Sequence, residues 1–342
     1  MSARSSLRAA TLRGTALLAA ALALTSCSSG SDDSSSESSG SGSTGSTGST
    51  SSAGFPATVS TAFGDVTVDE APVRVVALGW GDAETALALG VQPVGASDWL
   101  GFGGEGVGPW PEGRYDQAPE IIDTLEPSYE AIAALEPDLI LDTKSPATQE
   151  RYDALSAIAP TIGQPEGADP YLTSSADQLE MIGQALGKSD EAADLQAQVD
   201  QAFTDAAAAH PEFDGKSVVV GSRTSEGYGA YVDGDTRVDF MTRLGFTNAK
   251  AVQDLADDAF SVSISNEQLP LLDADLTVMF PIFIDASTIT GDPLFQAVPS
   301  VQAGHSVVLD DETLVSAFSI GTTLATQYAL ENAVPLFADA LA

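Results

Sequence analysis

A single cysteine follows a short leader whose composition suits lipid attachment. Basic residues precede an apolar run from Ala16 to Leu24, and two small residues then lead to Cys27. The run is too short to cross a bilayer about 30 Å thick, but it suits the core of a cleavable secretion signal. Cys27 is the only cysteine, so its thiol is free for a thioether bond to a diacylglyceryl group. We therefore predict a signal peptide over residues 1–26, a lipidated Cys27 and a position on the extracellular face of the cytoplasmic membrane.

Residues suited to catalysis are scarce. The only histidines are His210, which ends a long helical pattern, and His305, which lies in a turn before a strand pattern. The chain has no G-x-S-x-G elbow, no phosphate-binding P-loop and no paired histidines. A bare Zn²⁺ or Mn²⁺ site is not expected, because such ions take several His or mixed His and carboxylate ligands. We predict a binding protein with no catalytic residues, no metal ligands and no cofactor; a secreted enzyme is the remote alternative.

Aromatic and basic residues cluster where predicted strands end. In open α/β sheets ligands lie at the carboxyl ends of the strands, so residues just after each strand are candidate ligand contacts. Aromatic rings offer stacking area, and cations offer charge-assisted hydrogen bonds to an oxygen-rich ligand. A Gly- and Pro-rich loop from Trp99 to Tyr115 adds further rings and one arginine. The candidate contacts are Trp80, Trp110, Arg114, Tyr115, Lys144, Arg223, Tyr228, Tyr231 and Phe280.

The charge balance excludes one class of partner. The formal net charge is −36, and three of the 13 basic residues lie in the leader, so 10 would remain in the mature chain against 49 acids. So acidic a protein repels nucleic acids, and we predict no nucleic-acid partner.

Short β-branched runs alternate with helical patterns along the rest of the chain, which predicts parallel α/β units. About 290 residues from Phe55 onward exceed one compact core, so two lobes are expected. We predict a disordered Ser/Gly tether after the lipidated Cys (27–54), an N-terminal lobe (55–188), a bridging helix (189–211) and a C-terminal lobe (212–342). The bridging helix would begin with Ser189 as its cap, and its stiffness would limit lobe motion to a few degrees.

Three stretches resemble the helical-backbone solute-binding proteins of ABC importers for ferric siderophores, haem and cobalamin. These are VRVVALGWGDAETALALGVQPVGAS from Val73, EPSYEAIAALEPDLILDT from Glu126 and SVSISNEQLPLLDADLTVMF from Ser261. The resemblance covers nearly all of residues 55–342 and implies an α/β fold of two Rossmann-like lobes, with central parallel sheets, joined by one long α-helix. The loop from Trp99 to Tyr115 is similar to one that carries ligand contacts in siderophore-binding relatives.

The same resemblance implies a function and partners. Glu130 and Glu267 match the one glutamate per lobe with which relatives contact arginines of the permease. A charge at each lobe tip would orient the cleft over the pore. We expect a monomer that captures a ferric siderophore as a small-molecule chelate and delivers it to ABC permease subunits; haem and cobalamin remain alternative ligands of the same fold.

Overall fold

The computed structural model describes residues 54–111, 114–257 and 259–342. The predicted signal peptide, Cys27 and the tether up to residue 53 lie outside the described residues. From Gly54 onward the described residues belong to one compact unit. No helix among them has both the length and the apolar composition needed to cross a bilayer.

The first lobe contains an all-parallel sheet flanked by helices. A small antiparallel hairpin, β1 (Ala57–Thr61) and β2 (Gly64–Val68), precedes it. The sheet has the strand order β5-β4-β3-β6-β7. Its strands are β3 (Val75–Ala77), β4 (Gly95–Ser97), β5 (Glu120–Ile122), β6 (Leu139–Leu141) and β7 (Thr161–Ile162). The helices are α1 (Asp82–Ala88), α2 (Tyr129–Ala134), α3 (Gln149–Ser156) and α4 (Ser175–Ala185).

A single long helix, α5 (Ser189–Ala209), joins the lobes as predicted. Its buried residues Val199 and Phe203 pack into the core of the second lobe, and Leu195 packs against the core of the first. The predicted cap is wrong by one residue. The N-cap is Lys188, which makes no side-chain capping bond, and Ser189 is the first helical residue.

The second lobe contains a mixed sheet with the order β11-β9-β8-β12-β13, in which β10 also pairs with β8. Its strands are β8 (Ser217–Thr224), β9 (Gly227–Tyr231), β10 (Thr247–Asn248), β11 (Ser261–Ile264), β12 (Leu276–Pro281) and β13 (Ser306–Val308). The helices are α6 (Thr236–Arg243), α7 (Lys250–Gln253), α8 (Ser287–Thr290), α9 (Pro293–Gln296), α10 (Pro299–Ala303), α11 (Glu312–Ile320) and α12 (Thr323–Ala340). Short 3₁₀ helices span Pro211–Phe213 and Asn266–Leu272.

The predicted α/β class with two lobes and one long helix is confirmed, and the strand directions add a detail. Parallel pairing holds for β8 with β10 and β12, and for β12 with β13. The strand β9 is antiparallel to both β8 and β11. The candidate contacts Arg223, Tyr228 and Tyr231 therefore lie within strands and not in a loop. Gly221 allows the two strands to pack closely, because a Cβ there would approach the carbonyl oxygen of Gly229 to 2.6 Å.

Candidate ligand-binding site

Five aromatic residues from both lobes form what we call the inter-lobe aromatic cluster. Trp80, Trp99 and Tyr171 belong to the first lobe, and Tyr231 and Phe260 to the second. The Trp80 ring stacks on Trp99 at 4.3 Å between centroids and on Tyr171 at 4.3 Å. Phe260 meets Trp80 edge-on at 5.9 Å and lies parallel to Tyr231 at 6.5 Å. The cluster therefore presents a continuous set of ring faces where the two lobes meet.

The parallel sheet of the first lobe brings its three rings together. Trp80 follows β3, Trp99 follows β4, and Tyr171 lies in the segment between β7 and α4. Carboxyl ends of parallel strands share one edge, so residues far apart in sequence become neighbours there. The backbone N–H of Tyr171 donates to the Ser145 carbonyl at 3.0 Å, which ties this segment to the residues after β6.

The two stacked indoles carry hydrogen-bond donors that the protein leaves without a partner. Nε1 of Trp80 and Nε1 of Trp99 are both buried, and neither has a hydrogen-bond partner among the described residues. A buried donor without a partner costs free energy, so such groups are exceptional in folded proteins. Donors of this kind at the junction of two lobes suit a ligand that supplies acceptor oxygens.

One ammonium group links the lobes beside the cluster. Lys144, only 5% exposed, follows β6, and its Nζ donates to Oγ1 of Thr236 in the second lobe at 2.6 Å. Its carbonyl accepts from the backbone N–H of Trp80 at 2.9 Å. Burial lowers the pKa of Lys144 to about 8, against which the nearby Asp235 acts to raise it.

Tyr231 contacts both a guanidinium and a core ring. The Arg237 guanidinium lies 3.7 Å from the centroid of Tyr231 and pairs with Asp235 through two hydrogen bonds of 2.9 and 2.7 Å. Phe280 stacks on Tyr231 at 5.8 Å and is 1% exposed. Phe280 therefore belongs to the hydrophobic core, where it supports Tyr231 from within the lobe.

A buried carboxylate fixes the turn that carries Trp80. Asp82 accepts from the backbone N–H groups of Gly79 (2.9 Å) and Thr143 (3.1 Å), and also from the Thr143 hydroxyl. Gln178 donates both to Asp82 at 2.7 Å and to the Trp80 carbonyl at 2.9 Å. A Cβ on Gly79 would come within 2.3 Å of this carboxylate, so the turn requires glycine there. This network sets the direction of the Trp80 backbone.

Asp82 should give stability a measurable pH dependence. Burial raises its pKa from 3.8 to about 6, so between these values the folded chain holds a proton that the unfolded chain releases. The stabilisation that protonated Asp82 contributes is fully present below about pH 4 and is lost as the pH rises through about 6. We expect the free energy of unfolding to fall, relative to that of Asp82→Asn, by up to about 3 kcal/mol over this range. Urea unfolding at pH 4 and pH 7 measures it.

An exposed aspartate in the first turn of α5 provides the control for this experiment. Asp190→Asn removes a carboxylate of the same residue type at an exposed position, so it controls for the loss of one acid by itself. Parallel pH profiles for the parent and Asp82→Asn would contradict the assignment.

Trp110 is part of a second contact between the lobes. Its Nε1 donates to Glu84 at 2.7 Å, and the same carboxylate accepts from the Thr322 hydroxyl of the second lobe at 2.6 Å. Its ring also packs against Tyr328 at 5.8 Å. Burial raises the pKa of Glu84, and these hydrogen bonds oppose that rise. The structure thus places Trp110 in a fixed polar contact outside the inter-lobe aromatic cluster.

The loop neighbours of Trp110 also lie apart from the cluster. Tyr115 is buried, and its hydroxyl has no hydrogen-bond partner among the described residues. Burial raises its pKa, and Glu105 adds to the effect. Arg114 is exposed, and its guanidinium reaches the Leu87 carbonyl at 3.5 Å.

Arg223 and Tyr228 lie on the other face of the β8–β9 hairpin from Tyr231. Arg223 donates to Asp292 at 2.8 Å, to the Tyr228 hydroxyl at 2.9 Å and to the Thr288 carbonyl. Tyr228 packs with Phe295 in a separate part of the core. All these partners belong to the second lobe, so the structure does not bring this pair to the aromatic cluster.

The two proposed docking acids are exposed at comparable positions in the two lobes. Glu130 lies in the first turn of α2, behind the Ser128 cap. Glu267 lies in the first turn of the 3₁₀ helix Asn266–Leu272, behind a capping box formed by Ser265 and Gln268. Both carboxylates face solvent. The helix starts fix their backbones and leave the side chains available to a partner.

Three members of the aromatic cluster, Trp99, Tyr171 and Phe260, were not among the predicted contacts. Trp99 opens the loop that the sequence marked for its rings and closely follows β4, so the rule that ligands lie at strand ends applied to it. Tyr171 lies nine residues after the two-residue strand β7, too far along the chain for that rule to select it. Phe260 precedes β11, whose place beside β9 depends on the sheet order.

A cavity of about 520 Å³ lies between the lobes and α5, and the residues that line it include no member of the aromatic cluster. Threonines from both lobes line it, and among them Thr236 also accepts the Lys144 bond. A second cavity, of about 430 Å³, lies between α4 and α5. Within the described part of the chain, no group of three or more His, Cys, Asp or Glu side chains is arranged to hold a metal ion.

Comparison with known proteins identifies several relatives. The family described as periplasmic binding protein matches residues 75–313. The probable siderophore-binding lipoprotein YfiY of Bacillus subtilis (strain 168) is 30% identical over 279 residues, which cover 76% of this chain and 81% of YfiY. The Fe(3+)-citrate-binding protein YfmC of the same organism is 26% identical over 73% of this chain and 77% of YfmC. The structure of Streptococcus pneumoniae TIGR4 PiaA with ferrichrome has 27% identity and a TM-score of 0.73, covering 83% of this chain and 98% of PiaA.

Proposed function

Because this chain belongs to the periplasmic binding protein family, we propose that it is the solute-binding component of an ABC importer and captures a ferric siderophore between its lobes. Members of this family bind solutes and are not enzymes, so the ferric chelate is cargo and not a cofactor. The inter-lobe aromatic cluster is the observation that carries the proposal. It combines a broad ring surface with two buried indole donors, which match the apolar backbone and the acceptor oxygens of such a chelate.

The proposed contacts are a revision of the sequence-based set. Trp80, Lys144 and Tyr231 remain, and Trp99, Tyr171 and Phe260 join them. Phe280 supports Tyr231 from the core. Trp110, Arg114, Tyr115, Arg223 and Tyr228 are left out, because their contacts lie outside the cluster.

The names of the relatives support the choice of ligand. YfiY is named as a probable siderophore-binding lipoprotein, YfmC as a binder of Fe(3+)-citrate, and PiaA was solved with ferrichrome. A ligand of this kind brings its iron already chelated, so the protein has to recognise the chelator and the iron needs no protein ligand.

The site of action follows from the leader. A thioether-linked lipid on Cys27 would hold the protein at the extracellular face of the membrane, and the Ser/Gly segment after it would act as a flexible tether. The lipoprotein name of YfiY agrees with this arrangement.

We further propose that the monomeric protein docks on the permease through Glu130 and Glu267, one on each lobe.

Binding measurements with a panel of ligands test the proposal. The purified chain is titrated with ferrichrome, Fe(3+)-citrate, haem and cobalamin, and quenching of tryptophan fluorescence is recorded. We expect saturable quenching by at least one ferric chelate, because Trp80 and Trp99 lie in the site. Saturable binding of haem or cobalamin alone would assign a different ligand to the same fold, and binding of none would overturn the proposal.

A further inference from the structure

We propose that the inter-lobe site selects a ferric chelate without net negative charge, such as a trihydroxamate complex, over polyanionic catecholate or carboxylate complexes. This inference rests on the proposed function and specifies the ligand class of the same site. The observation behind it is that acidic residues of the protein itself form ion pairs with its arginines.

The guanidinium closest to the cluster is already neutralised. Arg237, which lies over Tyr231, makes a two-point ion pair with Asp235, and both side chains are buried. A guanidinium held in this way has two of its N–H donors and most of its charge engaged by one carboxylate. It therefore binds a second anion weakly.

Two further arginines are also paired with acids. Arg151 of the first lobe binds Asp142 through hydrogen bonds of 3.0 and 2.8 Å. On the other face of the β8–β9 hairpin, Arg223 pairs with Asp292 at 2.8 Å. The sequence contains few basic residues, and these three arginines have acidic partners in the fold.

Among the residues that the structure describes, Lys144 is the remaining cation beside the cluster, and acids act on it. Its ammonium donates to the neutral hydroxyl of Thr236. Asp235, Asp239 and Asp82 all act on its charge, together with the like-charged Arg237. One ammonium beside several carboxylates cannot balance a trianionic complex in a site of low dielectric constant.

The rings favour the same ligand class. The faces of aromatic rings are the negative part of a quadrupole, which attracts cations and disfavours anions. The indole N–H groups of Trp80 and Trp99 are neutral donors, suited to the oxygens of a neutral chelate. Three singly charged hydroxamates on Fe³⁺ give a neutral complex, whereas three catecholates give a trianion.

The comparisons leave this choice open, so the charges decide it. PiaA was solved with ferrichrome, a trihydroxamate complex, and YfmC is named for Fe(3+)-citrate, a carboxylate complex. Both are similar to this chain, so similarity does not select between them.

Equilibrium dialysis of the full mature chain tests the inference with three probes: ferrichrome, Fe(3+)-citrate and a ferric tris-catecholate. We expect ferrichrome to bind at least about 100-fold more tightly than either anionic probe at low salt. Tighter binding of an anionic probe would overturn the inference and leave the proposed function standing. Binding of none of the three would instead count against the proposed function.

A single substitution then tests the physical cause. Asp235→Asn releases Arg237 and keeps a residue that can still cap α6. We expect it to raise affinity for the tris-catecholate by about 10-fold, with little effect on ferrichrome. The matched control is Asp292→Asn, which releases Arg223 on the other face of the hairpin and should change neither affinity. An equal gain in the control, or no gain from Asp235→Asn, would contradict the role of ion pairing in selection.

Discussion

Reversing the charges of Glu130 and Glu267 together is expected to abolish uptake of the ferric ligand by cells while leaving its affinity for the purified protein unchanged. Each carboxylate is exposed in the first turn of a helix, one on each lobe. An arginine at either position would face the cationic partner proposed for the permease, and like charges placed together at an interface cost several kcal/mol. Cellular uptake of labelled iron and equilibrium binding are measured for the same variant.

Two other exposed glutamates provide a control of equal charge change. Glu150 lies in the first turn of α3, and Glu331 lies on α12. Converting both to arginine changes the net charge by the same amount and should leave uptake near the parent level. Normal uptake by the Glu130→Arg and Glu267→Arg double variant would end the docking proposal. Equal loss in the control would assign the effect to overall charge.

Trp80→Ala should lower the affinity for the ferric ligand by about 30-fold or more and remove much of the fluorescence quenching. Trp80 contacts three other rings, including Phe260 of the opposite lobe. Central, desolvated tryptophans commonly contribute 2 kcal/mol or more to binding, which corresponds to this change in affinity. Trp80→Phe keeps a ring but loses the buried N–H, so its affinity should fall between those of the parent and Trp80→Ala. Fluorescence titration measures both quantities.

A stacked ring elsewhere in the first lobe separates binding from stability. Tyr152 stacks on Phe63 at 4.2 Å and has no part in the inter-lobe cluster. Tyr152→Ala should lower the free energy of unfolding and leave affinity unchanged. If Trp80→Phe retained both the full affinity and the full quenching of the parent, Trp80 would be removed from the proposed site.

Local patterns in the sequence were sufficient to predict the fold class and the bridging helix. Runs such as Val218 to Val220 are β-branched and fully buried, so strand propensity and burial agree there. In α5, Val199 and Phe203 recur at helical spacing, and both are buried. Glu130 and Glu267 are exposed in the first turns of their helices, whereas Asp82 in the first turn of α1 is buried, so burial depends on what packs against each helix start.

The composition of the site depended on contacts between distant residues. Tyr171 and Phe260 lie 89 positions apart and come within 6.2 Å of each other only because the two lobes meet. The pairing of charges was equally hidden, since Arg223 and Asp292 are separated by 69 positions. An arginine read from sequence carries a full positive charge, and only the folded chain shows which carboxylate cancels it. The sequence alone thus determined a two-lobed binding protein with candidate rings and cations. The tertiary structure decided which of them share the site and how much charge that site retains, because ring stacking and ion pairing act over a few ångströms in space.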